Sequence, residues 1–196
     1  MKRIFVATHN AHKTREIGEI LPGFEIVADD PEGVEETAPD FAGNALIKVR
    51  AIAARHRGEW CMADDSGLEV AALGGEPGVR SARYSEPEFP EAEGAERTRR
   101  NNEKLLERLA GAASRAANFT CSIALVDPEG REHSLEGRCY GTIATSPSGS
   151  EGFGYDPLFV PDGHDRSFAE LSAAEKNAIS HRGRALEKVR RLLAER

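Results

Sequence analysis

The chain has 196 residues, of which 39% are hydrophobic and 30% are charged, a balance typical of a globular protein large enough to bury its own core. Its formal net charge of −7 argues against the positive surface that bulk binding to nucleic acid requires, although a small anion could still bind in a local basic pocket. Its three cysteines are an odd number without a Cys-x-x-Cys pair, which argues against a disulfide framework or a zinc ribbon and favours the reducing cytoplasm.

The N-terminal segment predicts a parallel α/β unit. Ile4–Ala7 form a short apolar strand that is too brief for a signal peptide, and no later apolar run approaches the ~18 residues of a membrane helix. A helix capped by Asn10 follows, and a strand resumes after Pro22-Gly23. Thr8-His9-Asn10 and Lys13 therefore lie at a helix N-terminus, whose free N–H groups and partial positive charge suit a phosphate. A plainly capped helix with a solvated lysine is the alternative.

An acidic segment precedes the second predicted helix. Residues 29–40 carry six acids and no Lys or Arg, and their Pro and Gly content predicts a loop. The helix follows at Phe41–His56 and has one apolar side. Glu35 and Glu36 either belong to a solvated, charge-rich loop or supply a carboxylate for a metal ion or a base for an attacking water.

Two adjacent aspartates follow the predicted buried strand Trp60–Ala63. Asp64 and Asp65 repel one another unless a cation or hydrogen-bond donors offset the repulsion. Oxygen ligands at a strand end suit Mg²⁺, which usually takes one or two carboxylates plus substrate phosphates. Ser66 and Gly67 complete a predicted turn, and the Ser66 hydroxyl could donate to a phosphate oxygen. A plain turn is the other interpretation of these four residues.

The rest of the chain predicts further strands and helices, so that the pattern as a whole indicates an α/β fold. Two antiparallel strands joined by a turn at Asp127–Gly130 form its clearest local unit. The predicted elements are the strands Leu68–Leu73, Phe119–Val126, Glu132–Ile143 and Pro157–Val160, the helices Ala95–Leu109 and His181–Glu195, and a helical turn at Ala173–Asn177.

Two C-terminal segments carry further candidate binding residues. In the segment Gly152–Pro157, which reads Gly-Phe-Gly-Tyr-Asp-Pro, glycines let the backbone approach a ligand and aromatic rings can stack on a purine. A tight turn with both aromatic residues in the core is the alternative. Lys176 and Arg182 offer cations for a polyphosphate, and His181 can donate to a purine carbonyl.

Together these segments resemble the inosine/xanthosine triphosphate pyrophosphatases, the Ham1-like hydrolases of non-canonical purine nucleotides. The motifs occur in the family's order over nearly the whole chain, and the set is highly specific although each motif alone is weak. The matching segments are Thr8-His9-Asn10…Lys13, Phe41…Asn44-Ala45, Ala63-Asp64-Asp65-Ser66-Gly67-Leu68, Gly74-Gly75…Pro77-Gly78…Ser81-Ala82-Arg83-Tyr84, Gly152-Phe153-Gly154-Tyr155-Asp156-Pro157 and Lys176…Ile179-Ser180-His181-Arg182-Gly183.

The resemblance implies a fold, a reaction and a site. The fold would be α/β, a long mixed twisted sheet flanked by helices, with residues 1–196 forming one domain of two lobes and a central nucleotide-binding cleft, usually as a homodimer. The reaction would be Mg²⁺-dependent hydrolysis of ITP, dITP and XTP to the monophosphate and pyrophosphate, which keeps these nucleotides out of DNA and RNA. Asp65 is the implied catalytic residue, and Asp65 and Glu36 are the implied metal ligands. The implied substrate contacts are Thr8, His9, Asn10, Lys13, Ser66, Phe153, Gly154, Tyr155, Asp156, Lys176, His181 and Arg182.

Two positions depart from the family's pattern. The family often has Gly where this chain has His9, and a larger side chain there could crowd or extend the phosphate turn. The family also often has Glu where this chain has Gly43. If that Glu supports the metal, this chain must use other ligands.

The expected reaction is attack of water on the α-phosphorus, which depends on positioning and charge neutralisation. Lys13 and Lys176 would neutralise the triphosphate, while Asp65, together with Glu36, would hold the metal or orient the water. These groups are expected to converge around one bound triphosphate. A donor such as His181 would favour a 6-oxo purine over adenine, which carries a donor at that position.

Three other functions are compatible with parts of the sequence. The protein could be a pyrophosphatase of similar shape that acts on modified pyrimidine or other nucleotides. It could also bind nucleotides without catalysis. A third possibility is a nucleic-acid-binding protein that uses the basic C-terminal helix, which the net charge of −7 disfavours.

Overall fold

A computed structural model describes residues 2–195. Its strands are β1 (Lys2–Ala7), β2 (Phe24–Asp29), β3 (Trp60–Val70), β4 (Ala116–Val126), β5 (Glu132–Ile143) and β6 (Phe159–Pro161). Its α-helices are α1 (Ala11–Ile20), α2 (Phe41–Ala53), α3 (Gly94–Arg108), α4 (Ala173–Ile179) and α5 (His181–Ala194). Short 3₁₀ helices lie at Ala71–Leu73, Gly78–Arg83 and Phe168–Glu170.

The six strands form one mixed sheet in the order β2-β1-β3-β4-β5-β6. Strand β1 runs parallel to both β2 and β3, whereas β6 runs antiparallel to β5. The predicted strand–helix–strand opening is confirmed, because α1 connects the parallel pair β1 and β2. The predicted hairpin is confirmed as well, since neighbouring strands β4 and β5 are joined by a turn in which the Asp127 N–H donates to the Arg131 carbonyl at 3.0 Å. The mixed α/β sheet flanked by helices is therefore the observed fold.

The described chain divides into two compact units. One comprises residues 2–66, 121–138 and 180–195, and is called the first unit below. The other comprises residues 67–120 and 139–179, and is called the second unit. The nucleotide-binding cleft expected from the resemblance stays a prediction.

In the first unit, alternate residues of each strand face different helices. In β1, Val6 belongs to a core cluster that includes residues of α1 and α5, whereas the next residue, Ala7, belongs to a cluster that includes residues of α2. In β3, Met62 and Ala63 repeat this alternation. Successive side chains of a strand point to opposite faces, so the residues that follow in β3 must continue the pattern.

Strand β3 continues through a place where the sequence predicts a turn. Asp64–Gly67 were expected to end the strand, but β3 runs without interruption from Trp60 to Val70. The prediction was wrong because it relied on local preferences of polar residues, whereas each carboxylate here is neutralised by cations from neighbouring helices. The predicted strand Leu68–Leu73 is therefore the end of β3 followed by a 3₁₀ turn.

The second unit packs around an aromatic cluster. The rings of Phe119 and Phe159 meet edge to face with their centroids 4.8 Å apart, and Phe168 lies 5.0 Å from Phe159. Edge-to-face pairs of this kind are a favourable aromatic geometry. Tyr155, one of the predicted nucleotide contacts, belongs to the same core.

The three cysteines are free and buried, and Cys61 and Cys121 belong to the hydrophobic core. Burial raises the pKa of the Cys61 thiol to about 11. No helix between residues 2 and 195 combines the length and the apolar character that crossing a membrane requires.

Gly137 allows β5 to approach the start of α5 directly. A Cβ atom at this position would lie 2.2 Å from the backbone oxygen of His181 and 2.5 Å from the backbone nitrogen of Ala185. Because backbone atoms of a strand and a helix would have to move apart, Gly137→Ala is expected to lower the free energy of unfolding by about 1–3 kcal/mol. Urea unfolding followed by circular dichroism measures the change.

Gly18, within α1, provides the matched control for this substitution. No atom lies within 4 Å of a Cβ built at Gly18, so the added methyl group meets open space. Gly18→Ala is expected to raise the free energy of unfolding by about 0.5–1 kcal/mol, because alanine favours the helix. Equal effects of the two substitutions would contradict the role assigned to Gly137.

Candidate functional site

The candidate site is built on two consecutive residues of β3. Asp64 contacts Lys13 of α1 and Arg182 of α5, whereas Asp65 contacts Lys48 of α2. The two carboxylates thus lie on opposite faces of the strand, as the alternation of its core residues requires. Their mutual repulsion, which the sequence suggested as the central problem, is relieved because each has its own cations.

Asp64 is only 1% exposed, and its Oδ2 atom is surrounded by cations. Lys13 Nζ lies 3.1 Å away and Arg182 Nη2 lies 3.0 Å away. Burial by itself raises the pKa of Asp64, but the charges of Lys13, Arg182 and Lys48 outweigh it and hold that pKa well below its usual value. The other oxygen, Oδ1, is buried and has no hydrogen-bond partner among the described residues. Asp64 is therefore an ionised group with one carboxylate oxygen still able to accept.

Arg182 links three side chains of the first unit. Its Nη1 donates to Glu16 Oε2 at 2.5 Å, and its Nη2 donates to Asp64 Oδ2 at 3.0 Å and to Ser66 Oγ at 2.9 Å. Burial lowers the pKa of the guanidinium, but the charges of Asp64 and Glu16 more than compensate and raise that pKa. Ser66 and Arg182, both predicted nucleotide contacts, are thus brought together with Asp64.

Lys48 connects the second aspartate to the acidic loop. Its Nζ lies 2.9 Å from Asp65 Oδ1 and 2.8 Å from Glu36 Oε1. Burial lowers the pKa of Lys48, but the nearby carboxylates raise this pKa by a larger amount. The ammonium group therefore stays charged. Burial also raises the pKa of Asp65, and together with the Glu36 charge it outweighs the effect of Lys48. Asp65 is therefore a stronger base than an exposed aspartate.

Sequence reasoning missed two residues of this arrangement, Lys48 and Glu16. Lys48 is buried and lies between Ala45 and Ile52 on the side of α2 that was predicted to be apolar. A lysine in such a position is the signal that could have identified it. Glu16 is buried beside Ile17 on α1, and the same kind of signal, a charge on an apolar side, was available there.

The segment that was predicted to bind phosphate lies directly before and at the start of α1. Asn10 caps the helix as predicted, because its side chain accepts from the N–H groups of His12 and Lys13 at 2.9 and 3.4 Å. Thr8 is buried, and its Oγ1 accepts from the Asn10 N–H at 3.0 Å. The His9 side chain is 84% exposed, and its Nδ1 lies 3.8 Å from Asp30 Oδ1. The larger side chain at this departure from the family is accommodated in solvent.

His181, another predicted contact, is buried at the first position of α5 in the first unit. Ser180 caps this helix, because its Oγ accepts from the Gly183 N–H at 3.0 Å. His181 and Arg182 thereby lie in the first turn of a helix whose N-terminus is already capped.

The remaining five predicted residues lie in the second unit, four of them in one turn and Lys176 on α4. Asp156 Oδ2 accepts from the Phe153 N–H at 2.8 Å and from Lys176 Nζ at 2.7 Å. The Lys176 ammonium also lies 4.9 Å from the centroid of the Phe153 ring. Gly154 has a φ of 63°, which favours glycine, and the Tyr155 hydroxyl donates to the carbonyl of Ser81 at 2.9 Å. A buried ion pair between Asp156 and Lys176 therefore fixes this turn.

The oxygen atoms of the first unit fit a hard divalent cation. The carboxylates of Asp65 and Glu36 both approach the same Lys48 ammonium, so two carboxylates lie within reach of one cation. No group of three or more His, Cys, Asp or Glu side chains within residues 2–195 is arranged to hold a metal ion by itself. The residues present thus fit Mg²⁺ in its common protein setting, with one or two carboxylates and the oxygens of a bound phosphate.

The fold and this arrangement of aspartates and cations define a known protein class. The model of the Ham1 family matches residues 4–192, and the chain belongs to this family. The dITP/XTP pyrophosphatase of Syntrophobacter fumaroxidans is 46% identical over 195 residues, covering 96% of this chain and 80% of that protein. Among solved structures, a HAM1 protein from Coxiella burnetii is 40% identical with a TM-score of 0.85 over 100% of both chains. The Staphylococcus aureus Ham1 protein is 37% identical with a TM-score of 0.84 over 99% of both chains. The family resemblance found in the motifs is confirmed.

Proposed function

We propose that this protein hydrolyses the non-canonical purine nucleotides ITP, dITP and XTP to the monophosphate and pyrophosphate. Removing them from the nucleotide pool would prevent their incorporation into DNA and RNA. The relatives named dITP/XTP pyrophosphatases support the reaction class, with 46% identity over nearly the whole chain. The observation that carries the proposal is the buried aspartate pair of β3, which meets Lys13, Lys48 and Arg182 beside the N-terminus of α1.

Asp65 is the residue that we assign to the attacking water. Lys48 lies 2.9 Å from Asp65 Oδ1, and Asp65 Oδ2 would accept the proton of the water. In the proposed step the water oxygen forms a bond to the α-phosphorus while its proton passes to Asp65. The bond between the α-phosphorus and the bridging oxygen breaks, and pyrophosphate leaves with that electron pair.

Lys13 and Lys48 are the cations of the first unit best placed to neutralise the phosphates. Asp64 holds Lys13 one turn inside α1, where helix N–H groups add positive potential. Lys48 lies beside the proposed base. Its ammonium group would stabilise the negative charge that develops on the oxygens of the attacked phosphorus. Lys176, which was predicted to contact the triphosphate, is held in the second unit by its ion pair with Asp156.

Magnesium dependence is part of the proposal, with Asp65 and Glu36 as the protein ligands. The approach of both carboxylates to one ammonium group supports this assignment. When bound, Mg²⁺ would act as a Lewis acid that neutralises phosphate charge.

Recognition of the base would need a hydrogen-bond donor and an aromatic face. A donor from His181, Arg182 or a backbone N–H would favour the 6-oxo group of hypoxanthine and xanthine over the amino group of adenine. Phe153 and the turn that contains it would supply an aromatic face for the purine.

The resemblance also supports a homodimer, and the free buried cysteines agree with a cytoplasmic location. Light scattering of the purified protein distinguishes a dimer from a monomer.

The proposed function predicts a defined substrate profile. With Mg²⁺, the protein should release pyrophosphate and monophosphate from ITP, dITP and XTP much faster than from ATP or dUTP, and a chelator should abolish the reaction. Ion-exchange chromatography of the nucleotides and a coupled pyrophosphate assay measure both products. Direct release of orthophosphate would contradict attack at the α-phosphorus, and a preference for dUTP would favour the pyrimidine alternative.

A further inference from the structure

The acidic loop is attached to the first turn of α2 by three hydrogen bonds. The Ala38 N–H donates to Asn44 Oδ1 at 2.9 Å, and the Gly43 N–H donates to Asp40 Oδ1 at 2.7 Å. The Asn44 N–H donates to the Asp40 carbonyl at 3.2 Å. Asn44 is 1% exposed, so this attachment is buried on the helix side. Residues 38–40 therefore have one defined position against α2.

Gly43 makes this close attachment possible because it has no side chain. A Cβ atom at this position would lie 2.5 Å from Ala38 Cβ and 3.0 Å from Asp40 Oδ1. Glycine inside a helix costs roughly 1 kcal/mol relative to alanine. At position 43 this cost in helix stability accompanies the close contact between the helix and Ala38. Ala38 occupies the space that a side chain at position 43 would enter.

The attachment bears directly on Glu36. Glu36 is two residues before Ala38, and its Oε1 lies 2.8 Å from Lys48 Nζ. Lys48 is four residues after Asn44, so both project from the same side of α2. The loop is thus held to α2 at two points, by Asn44 through the backbone of Ala38 and by Lys48 through the carboxylate of Glu36.

We propose that Gly43 and Asn44 are positioning residues that set the location of the Glu36 carboxylate beside Lys48 and Asp65. Gly43 acts by admitting Ala38, and Asn44 acts by holding the backbone two residues after Glu36. A small residue at position 43 thus permits the loop contact that fixes the Glu36 carboxylate. The inference rests on the proposed function of Glu36 as a metal ligand.

The test measures binding of Mn²⁺ to the full-length protein without nucleotide, by isothermal titration calorimetry. Gly43→Ala is expected to weaken Mn²⁺ binding about 10-fold, because residues that orient ligands typically contribute 10–100-fold to metal affinity. The double variant Ala38→Gly with Gly43→Ala removes the clashing methyl group and should return to within about twofold of the wild type. In a Glu36→Gln background, Gly43→Ala should cause no further loss.

Thermal unfolding of each variant separates positioning from folding. A merely structural role for Gly43 would lower the melting temperature without a rescue of Mn²⁺ affinity by Ala38→Gly, and this result would overturn the inference. Wild-type affinity of Gly43→Ala, or an equal loss in the Glu36→Gln background, would overturn it as well. If Gly43→Ala does not fold, Ala38→Val enlarges the same contact from the loop side and takes its place.

Failure of the proposed function gives a different result. Glu36→Gln would then bind Mn²⁺ as tightly as the wild type, which removes the metal role of Glu36 and the inference with it. Weaker binding by Glu36→Gln together with unchanged binding by Gly43→Ala would leave the proposed function standing and overturn only the positioning role.

Discussion

Replacing Asp65 with asparagine is expected to lower kcat for pyrophosphate release from ITP by about 10³-fold, since positioned acid–base groups contribute roughly 10²–10⁴-fold. Asparagine has the shape of aspartate but accepts no proton from the attacking water. It also leaves Lys48 paired with Glu36, so the fold should persist. Steady-state kinetics with a coupled pyrophosphate assay measure the loss, and thermal unfolding checks the fold.

Asp165→Asn is the matched control, because Asp165 is an exposed residue outside the site. It should leave kcat and KM unchanged. If Asp65→Asn retains turnover comparable to this control, Asp65 is not the proton acceptor and the assigned site is wrong. If both variants lose activity together with their melting transitions, the loss reflects folding rather than chemistry.

The sequence predicted well those parts of the fold that depend on neighbouring residues. The cap at Asn10 and the turn around Asp127 use side-chain oxygens that accept from backbone N–H groups a few residues away. Such signals are local and can be read directly from the sequence. The start of strand β6 was not predicted correctly. The strand begins at Phe159 rather than at Pro157, because a turn in which the Tyr155 carbonyl accepts hydrogen bonds precedes it.

The continuation of β3 through Asp64 and Asp65 could not be predicted in this way. The local sequence Asp-Asp-Ser-Gly favours a turn, and only distant residues reverse that preference. Lys13 is 51 residues from Asp64, and Arg182 is 118 residues from it. Burial of a carboxylate in a strand depends on such cations, and their arrival is a property of the whole fold.

Several of the predicted site residues lie together in the first unit, but their arrangement was not predicted. Motifs identified Asp65, Lys13 and Arg182, yet they suggested one shared environment for the two aspartates. The alternation of β3 separates these environments, so Asp64 contacts α1 and α5 while Asp65 contacts α2. Similarly, the sequence showed that Gly43 departs from the family, but only the distance to Ala38 shows what the departure permits.

Replacing Arg182 with methionine is expected to lower the free energy of unfolding by about 3–5 kcal/mol, the usual cost of removing one partner from a buried ion pair. Arg182 is 2% exposed and is the shared counter-charge of Asp64 and Glu16. Methionine keeps an unbranched side chain but has no charge. Glu16 then loses its ion pair with Arg182, and Asp64 keeps only its ion pair with Lys13 among these two cations. Urea unfolding at constant pH measures the difference.

Two further variants decide whether the lost counter-charge causes this decrease in the free energy of unfolding. Arg184→Met changes an exposed arginine of the same helix, which donates only to the Arg138 carbonyl at 2.7 Å, and it should cost little. Adding Glu16→Gln to Arg182→Met neutralises one of the two carboxylates that lost Arg182 and should restore about 1–2 kcal/mol, since a buried neutral amide is less costly than a buried charge that has lost a counter-charge. Without that recovery, the loss would arise from packing around the side chain, and the electrostatic role of Arg182 between Glu16 and Asp64 would be wrong.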